Sequence, residues 1–152
     1  MSSHELFSYD PLARSWRLWL TQGDIPPMGL GTSCTFVESE NTLYVFGGQH
    51  GYPEEEAFGR YFIEGNNCEV YSLNMVTKVW THLKSGSDKT PYPCEKSLIA
   101  FHNGFVYAFG GYCEIPEEEL STKVKLDPDP GSPYHWKRGW SACLNRFNPK
   151  LR

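Results

Sequence analysis

The sequence predicts an all-β protein: an array of four-stranded sheet units that forms part of a β-propeller without closing its ring. Two landmarks recurring with one period carry this prediction, and the small number of recurrences carries the open ring. Leu43-Tyr44-Val45-Phe46-Gly47-Gly48 and Val106-Tyr107-Ala108-Phe109-Gly110-Gly111 each run an apolar strand into paired glycines, and the pairs lie 63 residues apart. Glu5-Leu6-Phe7-Ser8-Tyr9-Asp10, ending at Trp16, aligns with Glu69-Val70-Tyr71-Ser72-Leu73-Asn74, ending at Trp80, 64 residues later.

Each unit repeats one order of parts. A polar, proline-bearing loop follows the repeat Trp, over residues 21–31 and again over 84–93. A first strand follows, at 33–37 or 97–101, and then a turn at Glu40-Asn41 or Asn103-Gly104. Asn-Gly accepts the positive backbone angles of a two-residue hairpin turn, so the second hairpin is strongly specified. The next strand, 43–46 or 105–109, is apolar at nearly every position, as expected of a central strand covered on both faces. The glycine pair then permits a sharp exit where a side chain would meet neighbouring backbone. A third strand is expected near 60–63 or 123–126, and a fourth near 70–73.

The C-terminal region carries another echo of the fourth strand. Phe147-Asn148-Pro149 matches Leu73-Asn74-Met75 and Tyr9-Asp10-Pro11, with about ten extra residues lying between Tyr112 and Cys143. An alternative register takes Trp136 as the repeat Trp, but leaves that echo unexplained. The resulting division is the end of a preceding blade with its linking loop at 1–31, a blade at 32–80, and a second blade at 81–152 with an insertion near 113–142. Propellers use roughly four to eight blades, so the repeats found here leave two sheet edges open to pairing.

The composition excludes several classes. With 39% apolar and 15% aromatic residues in 152, the chain can bury a core and is not of the disordered kind. A net charge of −4 without a Lys/Arg run argues against nucleic acid, whose phosphates call for a basic patch. No apolar stretch has the length of a membrane span, and the first residues lack the basic and apolar regions of a signal peptide. Cys34, Cys68, Cys94, Cys113 and Cys143 are odd in number and widely spaced, which fits a reducing compartment, nucleus or cytoplasm.

Paired glycines after an apolar strand, an aromatic-Asp/Asn step and a Trp six or seven residues later resemble the kelch repeat. Residues 5–16, 23–27, 43–50, Lys96 with 101–116, and Arg138-Gly139-Trp140 further resemble the early blades of the kelch domain-containing protein 2 type. That resemblance implies a six-bladed propeller acting as a substrate receptor of cullin-2 ubiquitin ligases, docked through elongins and recognising protein C-termini that end in glycine. It implies a non-catalytic subunit with no cofactor, whose partners are C-terminal peptides rather than nucleic acid or membrane. The family's later blades, with their carboxylate-gripping arginines and serine, and its elongin-docking segment are expected to lie outside these 152 residues.

Carried over by position, the family's degron pocket implicates Lys96, Tyr112 and Trp140. A terminal carboxylate calls for a fixed cation and a hydroxyl donor, and a glycine leaves room for a flat aromatic wall. Each residue also has a plain structural role open to it: Lys96 as a solvated strand residue, Tyr112 as a blade-packing aromatic, Trp140 as a core or insertion anchor. Gly47, Gly48, Gly110, Gly111, Trp16 and Trp80 are read as structural repeat positions. A truncated paralogue or isoform serving only as an interaction scaffold is the competing functional reading.

An enzyme is the third class weighed, since one kelch-type oxidase holds copper through Tyr, His and a modified Cys. Here the five histidines share no ligand spacing, and Cys34, Cys94 and Cys113 in or beside strands read as small buried apolar residues. The acidic runs Glu54-Glu55-Glu56 and Glu117-Glu118-Glu119 occupy equivalent places after the two glycine pairs. They read as solvated loops, or else as a rim favouring basic or neutral tails.

Overall fold

The computed structural model describes residues 6–27, 29–53, 61–85, 90–114, 124–126 and 138–150. The acidic runs after the glycine pairs, and Trp136, lie outside them. The chain is all-β, and its sheets do not close a ring among the described residues.

The N-terminal hairpin pairs β1 (Leu6–Asp10) with β2 (Ser15–Trp19). β3 (Gln22–Gly23) and β4 (Gly29–Leu30) follow in the linking loop. The first blade is built from β5 (Ser33–Val37), β6 (Thr42–Phe46), β9 (Val70–Asn74) and β10 (Val79–Leu83), in that spatial order, with β3 added parallel at the outer edge. Between β6 and β9 the chain makes a second hairpin, β7 (Gln49–Pro53) and β8 (Tyr61–Asn66), which joins β4 in a separate three-stranded sheet.

The second half repeats this plan. β12 (Leu98–His102), β13 (Phe105–Phe109) and β17 (Leu144–Phe147) form its blade sheet. β11 (Cys94–Glu95), β14 (Tyr112–Glu114), β16 (Arg138–Ser141) and β15 (Val124–Leu126) form the companion sheet, in the order β11-β14-β16-β15.

This pairing corrects the expected strand assignment. The segments near 60–63 and 123–126 are strands, but each belongs to a companion sheet rather than to a blade. The blade's third strand is Val70–Asn74, and its fourth is Val79–Leu83, which carries Trp80 itself. The C-terminal echo has the preferred register: Phe147 pairs with Val106 as Leu73 pairs with Leu43.

Local chemistry explains the recurrences. Asp10 Oδ1 accepts the backbone N–H groups of Leu12 and Ala13 at 2.8 and 3.0 Å, and Asn74 Oδ1 accepts those of Val76 and Thr77 at 2.9 Å each. Asn148 Oδ1 accepts the Lys150 N–H at 3.0 Å, so the Asp or Asn that follows Tyr9, Leu73 and Phe147 is a turn-closing device present three times. Asn103 and Gly104 both have positive φ, 48° and 82°, the backbone of a type I′ hairpin turn.

The glycine pairs occupy left-handed backbone where chains converge. Gly47 and Gly48 have φ of 64° and 102°, and Gly110 and Gly111 have 68° and 105°. A Cβ on Gly47 would lie 2.5 Å from the Cys94 carbonyl oxygen, and one on Gly111 would lie 2.4 Å from Ser97 Oγ. The Gly48 N–H donates to the Cys94 carbonyl at 2.8 Å, and the Cys94 N–H donates to the Asn67 carbonyl at 3.0 Å. The first glycine pair is therefore the joint between the two halves.

The core lies between the two blades. Tyr44 and Phe46 of β6 face Val106 and Ala108 of β13, with Val37, Val70, Cys94, Ile99 and Cys113 filling the layer. The Tyr44 and Phe101 rings stack at 5.7 Å and 6°. Only one face of each central strand is fully covered: Leu43 and Val45 are half-buried, and Phe109 is 48% exposed. Among the described residues no further blade lies against those opposite faces, which corrects the expectation of burial on both sides.

Candidate functional site

The companion sheet of the second half brings two of the three candidate residues together, Tyr112 and Trp140, and Lys96 follows its edge strand β11. Tyr112 on β14 is the direct cross-strand partner of Trp140 on β16, and their rings meet edge to face at 5.5 Å and 61°. On its other side Tyr112 pairs with Glu95 on β11, and Lys96 follows Glu95 in sequence. Trp140 is 55% exposed, Tyr112 half-buried, and the Lys96 side chain 60% exposed, so the row opens to solvent.

Lys96 is held by its backbone. Its φ is 57°, in the left-handed region, and its N–H donates to the Gly31 carbonyl at 2.7 Å, tying the second half to the loop before the first blade. Its ammonium stands 3.5 Å from Glu95 Oε1. The Glu95 carboxylate is buried, and the same oxygen accepts a hydrogen bond from Gln49 Nε2 at 3.0 Å. Lys96 is thus a cation with a buried carboxylate beneath it, which lowers the net positive field offered to an incoming anion.

Sequence reasoning missed this polar floor. Gln49 stands two residues after Gly47, as Tyr112 stands two after Gly110, so Gln49 and Tyr112 are repeat equivalents. Gln49 pairs with Asn66 across β7 and β8 as Tyr112 pairs with Trp140. Asn66 donates from Nδ2 to the Tyr112 carbonyl at 3.1 Å, and its backbone N–H donates to Glu114 Oε1 at 3.0 Å. The signal was the repeat itself: a polar residue in the place of Tyr112 marks where the two companion sheets meet.

The structural repeat positions differ in burial. Trp80, opposite Leu73, is 9% exposed, whereas Trp16, opposite Tyr9, is 70% exposed with its ring 5.0 Å from the tyrosine's. The β1–β2 hairpin repeats β9–β10, yet no inner strands pair with it among the described residues, so the same side chain stays in solvent.

The cysteines divide in the same way. Cys94 and Cys113 are cross-strand partners buried in the inter-blade core, while Cys34 is exposed on the edge strand β5, which corrects its expected burial. A hydrogen bond from Cys113 favours the Cys94 thiolate, and burial opposes it; with the Ser97 hydroxyl helping, the Cys94 thiol falls to about 7. The same pairing, with burial, drives the Cys113 thiol well above its ordinary value. Among the described residues no group of three or more His, Cys, Asp or Glu side chains is placed to hold a metal ion.

Residues 1–138 match the family described as the KLHDC2/KLHL20/DRC7 Kelch-repeats domain. The chain belongs to this kelch-repeat family. Kelch domain-containing protein 1 of Mus musculus is 25% identical over 158 aligned positions, covering 100% of this chain and 35% of the relative. Kelch domain-containing protein 2 is 26% identical in Bos taurus and 23% in Homo sapiens, each over 141 positions that cover 90% of this chain and 31% of the relative. The kelch chain described here spans about a third of the length of these relatives. Kelch repeats of this family form protein-binding modules, generally without catalysis, and the second companion sheet gives this one an aromatic pair, Tyr112 and Trp140, with the Trp140 side open to solvent.

Proposed function

We propose that this kelch module receives the C-terminus of a partner protein ending in glycine, and that it does so as part of a cullin-2 ubiquitin ligase substrate receptor docked through elongin. The observation that carries the reading is the edge-to-face meeting of Tyr112 and Trp140 in a sheet whose edge strand β11 is followed by the exposed Lys96. The Tyr112 hydroxyl and the Lys96 ammonium are donors for a terminal carboxylate, and the exposed Trp140 ring is a wall against which a glycine backbone packs. The sequence resemblance to the kelch domain-containing protein 2 type supports the same assignment.

The test is calorimetric titration with a peptide ending in Gly-Gly, as the free acid and as the amide. Loss of the carboxylate charge is expected to weaken binding about tenfold, the worth of one charge-assisted hydrogen bond. Equal binding of acid and amide rejects the reading. Retention of elongin and cullin-2 on the immobilised chain tests the ligase role separately.

A second reading, an interaction scaffold without ligase-receptor activity, is favoured by the exposed apolar hairpin β1–β2, where Phe7, Tyr9, Trp16 and Leu18 all face solvent. It predicts partner capture that is indifferent to the carboxylate.

A further inference from the structure

Two thiols face each other where the halves of the chain meet. Cys94 on β11 and Cys113 on β14 are direct cross-strand partners, both buried in the core and both free cysteines. One step outside the pair the Glu114 N–H donates to the Pro93 carbonyl at 2.9 Å, whereas the Cys94 N–H and carbonyl turn away to Asn67 and Gly48. The cysteines therefore form a non-hydrogen-bonded pair of the antiparallel ladder, where Cα atoms stand about 4.5 Å apart and side chains come closest. A disulfide spans Cα separations of about 4.4–6.8 Å, so this pair can be bridged with little backbone movement. The side chains already interact: Cys113 hydrogen-bonds Cys94, and Cys94 Sγ lies 3.1 Å from Ser97 Oγ. Among the described residues no other two cysteines are strand partners, although Cys68 packs on the same core.

We propose that Cys94 and Cys113 are an oxidation site, at which a hydroperoxide forms a reversible disulfide that staples β11 to β14. The Cys94 thiolate, favoured by the hydrogen bonds from Cys113 and Ser97, attacks one oxygen of hydrogen peroxide. An S–O bond forms, the O–O bond breaks, and the leaving hydroxide takes up a proton as water. The Cys113 sulfur then attacks the Cys94 sulfenic acid; an S–S bond forms, the S–O bond breaks, and the hydroxide leaves as water with the Cys113 proton. Two thiols are oxidised and one peroxide is reduced to two waters. The Cys94 thiolate is the main group that holds the proton on Cys113, so the first step removes that hold before the second begins. Access needs only local opening, because β11 is a two-residue strand at the edge of its sheet. Cys94 also carries the backbone bonds to Gly48 and Asn67, so the staple fixes the strand on which the two halves join. Cys113 is buried between two half-buried neighbours on β14, on the face opposite Tyr112, so the test is independent of the C-terminus reading.

The test treats the folded chain with hydrogen peroxide, caps the remaining thiols by alkylation under denaturing conditions, and maps the digest by mass spectrometry. A peptide linking Cys94 to Cys113 is expected, and a dithiol reductant is expected to remove it. The oxidation rate is expected to rise about tenfold between about pH 6 and about pH 8, as the Cys94 thiolate forms. In Cys113→Ser the sulfenic acid on Cys94 is expected to persist and to be trapped by a cyclic dione. The oxidised chain is expected to unfold at higher urea than the reduced one, since the link closes the loop 94–113 in the unfolded state. Alkylation of both thiols after peroxide, or linkage of Cys94 to Cys68 or of Cys113 to Cys143, overturns the proposal whether or not the variant folds. A rate flat across that pH range overturns the assignment of first attack to Cys94, and a lower urea midpoint overturns the staple.

Discussion

Tyr112 and Trp140 are direct partners across β14 and β16, and their rings touch edge to face at 5.5 Å. The two residues are 28 positions apart in sequence. The contact depends on antiparallel pairing within the companion sheet, which also sets Glu95 on the far side of Tyr112.

Trp140→Ala is expected to weaken a Gly-Gly peptide by about 2 kcal/mol, since it removes an exposed aromatic wall without disturbing the core. Tyr112→Phe keeps the ring contact and removes only the hydroxyl, for an expected loss of about 1 kcal/mol. Lys96→Ala is expected to cost less than about 1 kcal/mol, because its ammonium is well exposed and already beside Glu95. Titration calorimetry on the three variants checks the order.

Glycine substitutions are expected to separate backbone strain from steric conflict. Gly48→Ala places a Cβ 2.4 Å from Thr32 Oγ1 and 3.1 Å from the Leu30 carbonyl oxygen, in left-handed backbone. The expected destabilisation is about 3 kcal/mol or more, the left-handed penalty added to overpacking. Gly104 is also left-handed, but a Cβ there meets nothing within 4 Å, so Gly104→Ala is expected to cost only about 1–2 kcal/mol. Urea unfolding midpoints measure the difference.

The turn after β9 rests on one side-chain oxygen. Asn74→Ala removes the acceptor for two backbone N–H groups and is expected to cost about 1 kcal/mol. Asn74→Asp is expected to be near neutral, because Asp10 makes the same two bonds in the N-terminal hairpin. A thermal melt in which both variants fall equally would show that the oxygen is not what closes the turn.

The buried thiol pair is expected to give the fold a pH dependence. Cys94 loses its proton at about 7 when folded, against an ordinary 9.0, so the unfolded chain holds more protons between those values. Stability from this group therefore rises from about pH 7 to about pH 9, and is lost as pH falls through 7. Cys113 has the opposite sign, since its raised value withdraws stability only above its ordinary 9.0. Stability curves over that range, with Cys94→Ser abolishing the rise and thiolate absorbance recording the titration, check both signs.

What the sequence determined by itself is whatever local chemistry writes at a fixed spacing. The glycine pairs are legible because left-handed backbone and close approach admit no side chain. The repeated Asp or Asn is legible because a short side-chain oxygen closes the following turn, and Asn103-Gly104 because the hairpin needs two positive φ angles. These suffice for the repeat and the all-β class. The tertiary structure decided which strands share a sheet, since pairing is non-local and a strand's composition does not name its neighbour. It moved the segments near 60–63 and 123–126 out of the blades and brought the strand holding Trp80 in. It also set the unlike burial of Trp80 and Trp16, residues of one type at one repeat position, because among the described residues the former alone has inner strands paired beside it. The candidate site shows the same division. Lys96, Tyr112 and Trp140 could be named from the sequence only through the family resemblance, and the buried Glu95 carboxylate beneath Lys96 appears only when β11 and β14 are paired and Gln49 arrives from the other half.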